Sequence, residues 1–159
     1  MTVWIRAQLI GAMQKEANHS YPLETGGILT GYVADNNEPV ILSVFGPGPN
    51  ATHNRHRFEP DHEWQCQQLD ELYAASQATQ VYLGDWHTHP DSSADMSWRD
   101  RRTLRSIATH PNTMLASPLM LIGGWSGNQT NWKWECHRYD GTQMFGLIPK
   151  SISCQLCQF

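Results

Sequence analysis

The segment Gly84-Asp85-Trp86-His87-Thr88-His89-Pro90 sets two imidazoles two residues apart in a run, Val81 to His89, that reads as a strand stopped by proline. Along a strand, side chains at i and i+2 point to one face, so His87 and His89 project together while Thr88 projects to the other. Two imidazoles so placed either share a metal ion, with N–Zn distances of about 2.0–2.1 Å, or are ordinary strand histidines. Ser97-Trp98-Arg99-Asp100 follows. Serine three residues ahead of an acid, before an apolar helical pattern, reads as a capping box. Asp100 also falls on the helix face shared by Leu104 and Ile107, with Trp98, Arg101, Arg102 and Arg105 opposite. The inward face therefore begins with a carboxylate, which is costly to bury unless a cation or several donors meet it. Capping by Ser97 and ligation by Asp100 are compatible.

Two histidines and one aspartate make three protein ligands, with no obvious fourth. Structural zinc sites usually fill all four positions, and catalytic ones leave the fourth to water. Such a water needs a base to take its proton. The candidate is Glu24, in Pro22-Leu23-Glu24-Thr25-Gly26-Gly27, beside two glycines that let backbone approach closely. Taken alone, Glu24 reads as a surface loop residue.

The elements that must position these groups alternate between strand and helix. Val3 to Ile5 reads as a strand. Ile5, Leu9 and Met13 then form a helical stripe running to about Asn18. Gly27 to Val33 and Val40 to Phe45 read as a hairpin around Asp35-Asn36-Asn37, ahead of the Gly46-Pro47-Gly48-Pro49-Asn50 loop. Asp61 to Ala75 reads as a helix capped by Asp61, with Trp64, Leu69, Leu72 and Tyr73 as its apolar set. Ser97 to about Thr109 is a third helix, Leu119 to Gly123 an apolar strand, and Trp132, Trp134 and Cys136 alternate as a strand with one buried face. Strands interleaved with three helices indicate an α/β or α+β sandwich. Residues 150–159 read as a short tail with little pattern, ending a single domain over 1–159.

Composition narrows the class. At 159 residues, with 40% hydrophobic content and seven Trp, the chain can close one core. A net charge of −4 disfavours a nucleic-acid-coating surface. No apolar run approaches the ~20 residues of a membrane span, and Arg6, Lys15 and Glu16 interrupt the N-terminal pattern, so a cytoplasmic protein without membrane or nucleic-acid partners is expected. Four scattered Cys do not make a disulfide framework.

Together the chemical groups resemble a known family. Glu24, then His87-Thr88-His89-Pro90, six residues, Ser97, two residues and Asp100 match the JAMM signature at every defining position, with unbroken spacing. The flank Glu24-Thr25-Gly26-Gly27-Ile28-Leu29-Thr30-Gly31 is similar to the glutamate segment of prokaryotic JAB-domain proteins. The resemblance spans roughly residues 2 to 140. It implies a metallopeptidase of the MPN-plus type on a cytidine-deaminase-like α/β fold, a mixed sheet packed with about three helices. It implies Zn2+ on His87, His89 and Asp100. Glu24 would take a proton from the water and return it to the leaving amine, and Ser97 would steady the oxyanion. Relatives commonly cut after the Gly-Gly tail of a ubiquitin-like protein. A short member of this kind most resembles the deubiquitinase-like peptidases of bacterial anti-phage (CBASS-type) operons, which implies activating and conjugating enzymes as possible company. Trimming of a sulfur-carrier protein and a non-catalytic MPN interaction module are the alternatives.

Weaker signals remain. The basic stretch Thr52 to Phe58 reads as a groove wall or as a solvated loop anchored by Phe58, and His53 with His56 as a second metal pair or as ordinary residues. Arg101, Arg102 and Arg105 read as a solvated helix face or an acidic partner's dock. Cys154 and Cys157 form half of a zinc-knuckle pattern or an unremarkable tail. Trp86 and Trp98 flank the motif as tail walls or core.

Overall fold

Strands dominate because β-branched and aromatic runs recur between turn-forming clusters. The computed structural model describes residues 1–111, 115–125, 131–144 and 148–159. In chain order the elements are β1 (Thr2–Ile5), α1 (Ala7–Ser20), β2 (Gly26–Val33), β3 (Pro39–Phe45), β4 (Thr52–Asn54), β5 (Arg57–Glu59), α2 (His62–Ala75), β6 (Val81–Pro90), α3 (Trp98–Thr109), β7 (Leu119–Trp125), β8 (Lys133–Met144) and β9 (Ile148–Gln158). Seven strands form one mixed sheet in the order β1-β3-β2-β6-β7-β8-β9, closed into a barrel by a parallel β1–β9 pairing. β4 and β5 make a separate small hairpin.

Alternation along β7 shows how the core divides. Leu119 and Leu121 join a cluster with Val3, Leu9, Met13 and Trp86, so α1 covers that face. Met120 and Ile122 point the other way and pack with Leu104, Ala94 and Tyr139 beneath α3. Both faces of β7 are thus buried, as its unbroken apolar run requires.

The β2–β3 hairpin forms as expected, with Asn37 at φ 64 in its turn. Three expectations need correction. Residues 150–159 are not a tail: β9 pairs Cys154 with Cys136 of β8 and residues Gln155 to Gln158 with β1. Helix α2 is mostly superficial; Gln65 is its buried residue and Tyr73 is 52% exposed. Strand β8 buries His137 as well as Cys136, because α3 and the segment before it cover the second face. His137 Nε2 donates to the Ala94 carbonyl at 3.3 Å.

Candidate metal centre and its cleft

The parallel β6–β7 pair carries the histidines at its C-terminal end, with His87 opposite Ile122 and His89 opposite Gly124. Gly124 is there for access: a Cβ at that position would lie 2.2 Å from the Ala94 amide nitrogen. The segment can therefore pass tightly over the sheet, burying Ala94 and Met96, before α3 starts. Ser97 caps the helix. Its hydroxyl accepts from the Asp100 amide at 3.2 Å, and its own amide donates to Asp100 Oδ2 at 2.7 Å, so the capping box is complete. This turns Asp100 inward, onto the buried face it shares with Leu104.

The result is convergence. His87 Nε2 lies 3.2 Å from Asp100 Oδ1, His89 Nε2 lies 3.4 Å from Asp100 Oδ2, and the two Nε2 atoms are 3.0 Å apart. A tetrahedral ion with bonds of about 2.0–2.1 Å needs ligand atoms about 3.3 Å apart. The observed spacings fit. His89 Nδ1 donates to the Ser93 carbonyl at 3.1 Å, which leaves the Nε2 lone pair facing its partners in the neutral ring. Two such lone pairs repel unless a cation or proton lies between them. Among the described residues, this is the group of three or more His, Cys, Asp and Glu whose ligand atoms converge, all within 4.8 Å. His53 and His56 are not part of any such group, nor are Cys154 and Cys157, which are free thiols on β9.

Electrostatics follow from this packing. Burial pushes the Asp100 carboxyl up, but hydrogen bonds from His87 and His89 outweigh it and hold it well below the usual range. Burial pushes His89 down, and Asp100 more than reverses this, leaving it raised. Glu24 faces the group, and burial raises its carboxyl against the partial pull of His87 and His89.

The Glu24 segment is fastened to β6 through the residue between the histidines. The Thr25 amide donates to Thr88 Oγ1 at 3.0 Å, and the Thr88 amide returns a bond to the Thr25 carbonyl at 2.9 Å. Both threonines are fully buried. Gly26 follows because a Cβ there would sit 2.4 Å from the Trp86 carbonyl oxygen. Thr25 and Thr88 were not among the residues singled out from sequence; the one hint was that Thr88 must point away from the histidines.

A cleft of about 810 Å3 opens beside this group, walled by Glu24, His89, Ser97, Asp100, Arg55 and Trp98 among others. The basic stretch is thus a groove wall in part, contributed by the turn of the β4–β5 hairpin. Trp86 is core, 2% exposed, donating to the Phe45 carbonyl, whereas Trp98 is 58% exposed under a stacked Arg102 guanidinium. Arg101 leaves the solvated set: it donates to Ser151 Oγ at 2.7 Å and ties α3 to β9.

This fold and this group define a JAB-type metallopeptidase domain. Residues 6–137 match the family of prokaryotic homologs of the JAB domain, and the chain belongs to that family. It is 39% identical over 131 residues to the "Probable metalloprotease y4qB" of Sinorhizobium fredii, covering 82% of this chain and 79% of that one. It is 32% identical to the "CD-NTase/cGAS isopeptidase" of Escherichia coli, over 61% of this chain and 63% of that one, and 30% identical to its namesake in Enterobacter hormaechei, over 77% and 67%. The fold is also that of protein DSY2949 from Desulfitobacterium hafniense, solved in solution, with a TM-score of 0.71 at 18% identity, covering 99% and 92% of the two chains.

Proposed function

We propose that this chain is a zinc-dependent isopeptidase that hydrolyses the amide bond after the C-terminal glycine of a ubiquitin-like protein, in the cytoplasm, in the service of a bacterial anti-phage conjugation system. The carrying observation is the convergence of His87, His89 and Asp100 at tetrahedral spacing, beside a cleft that His89 and Asp100 line together with Glu24. Relatives named as CD-NTase/cGAS isopeptidases support the bond type and the setting. No described helix is long and apolar enough to cross a membrane.

His87, His89 and Asp100 would hold the zinc, which when bound polarises the scissile carbonyl and makes water acidic. Glu24 takes the proton from the attacking water and carries it to the departing amine, so the amide nitrogen leaves neutral. Ser97 Oγ accepts the Asp100 amide, and its own hydroxyl proton remains to donate to the oxyanion. The cleft beside the group is where an extended Gly-Gly tail would lie.

The test is cleavage of a panel of bacterial ubiquitin-like proteins bearing C-terminal Gly-Gly extensions, with Glu24→Gln and a chelator as controls. Cleavage that both controls abolish, with zinc retained in Glu24→Gln, is expected. Zinc bound at one per chain without cleavage of any panel member would overturn the substrate class. Absence of bound zinc would overturn the enzyme itself.

A further inference from the structure

The β4–β5 hairpin contributes no ligand, yet it grips Glu24 by its backbone. The Glu24 amide donates to the Asn54 carbonyl at 2.9 Å. His53 Nδ1 lies 2.9 Å from the Glu24 carbonyl oxygen. A carbonyl only accepts, so Nδ1 carries the proton of this ring. Half-buried, the His53 ring packs against Phe58 with centroids 5.4 Å apart, and Phe58 reaches to 2.9 Å of where a Gly26 Cβ would stand. At the hairpin's turn, Arg99 Nη1 donates to the His56 carbonyl at 2.7 Å. The hairpin is therefore fastened to Glu24 through β4 and, at its turn, to the residue preceding Asp100.

Glu24 lies two residues before β2 and outside the sheet ladder. Both of its backbone polar groups are met by β4. A general base works only within about 2.6–3.2 Å of the proton it removes, and a displacement of about 1 Å costs roughly a hundredfold in rate. We propose that His53 is a positioning residue for Glu24: its Nδ1–H, by fixing the Glu24 carbonyl, sets where the Glu24 carboxylate stands relative to the metal group. This rests on the reading of Glu24 as the base.

Two variants of the full chain separate hydrogen bonding from packing. His53→Phe keeps a ring against Phe58 and removes the donor. His53→Asn keeps a donor near the Nδ1 position and removes the ring. Against a ubiquitin-like protein with a C-terminal Gly-Gly extension, His53→Phe is expected to lower kcat by about 30- to 100-fold with KM and zinc content unchanged. His53→Asn is expected to stay within about fivefold of the parent, because the donor remains. In the zinc-free chain, exchange of the Glu24 amide hydrogen should quicken in His53→Phe and not in His53→Asn. Equal loss in both variants, or unchanged Glu24 exchange in His53→Phe, would overturn the positioning role alone. Glu24→Gln turning over at the parent's rate would instead overturn the base assignment beneath it.

Discussion

Ser97 does two jobs with one hydroxyl, and they can be separated. As N-cap it accepts the Asp100 amide; as donor it faces the cleft. Ser97→Ala should cost about 1 kcal/mol in thermal stability and about 10²–10³ in kcat, read by melting and by steady-state kinetics; a rate loss explained by zinc loss would defeat the donor role. The metal group also has a pH signature. With no ion bound, His89 is raised above 6.5, so its contribution is full below that value and disappears as pH rises through the raised one. Asp100 is depressed below 3.8, so its contribution is present above 3.8 and disappears as pH falls. A bound ion competes with the proton on the same Nε2, so affinity climbs as pH rises through the His89 value. The melting temperature of the metal-free chain should hold below about pH 6.5 and fall as pH rises above it, while the zinc-induced increment grows. The convergence of His87, His89 and Asp100 on one side was legible in sequence because strand and helix periodicity aim them, while their reading as metal ligands came from the match to the JAMM signature. Thr25 was not, since its partner Thr88 stands far along the chain and only folding brings them together.

At the scale of elements, the Thr25–Thr88 exchange joins the segment of Glu24 to the strand of His87 and His89. Thr88→Val keeps the shape and leaves the buried Thr25 amide without its acceptor. Destabilisation of about 1–3 kcal/mol is expected, together with reduced kcat at unchanged zinc stoichiometry, measured by denaturant unfolding and metal analysis. A variant with wild-type stability would show that the bond is dispensable. The β2–β3 hairpin, β6 and the cap of α3 were readable because turn residues and cap chemistry are local. The β4–β5 hairpin was not, because three-residue strands with Arg and His between them carry no period. Helix α2 misled for a related reason: its apolar residues are spaced for a buried face, but it lies against β6 and the Gly46–Gly48 loop with Gln65 as its buried residue, and Tyr73 stays in water.

At the scale of the molecule, β9 closes the sheet. Removing residues 151–159 would strip partners from β1 and β8 and uncover Val3, Ile5 and Cys136. Such a chain is expected to lose its cooperative melt and its zinc, since Arg101 also loses Ser151 and α3 its tie; a cooperative transition in the shortened protein would refute the closing role. This closure was not legible in sequence, because a parallel pairing between the first and last strands has no local signal. The pairing has a mechanical side. β1 and β9 run the same way, with Thr2 beside Gln155 and Ile5 beside Gln158. A force applied at Met1 and Phe159 pulls on opposite ends of that pair and loads its hydrogen bonds together in shear, rather than opening them one by one. Dragged from its extremities, this domain should behave as a clamp that resists until the whole seam gives at once.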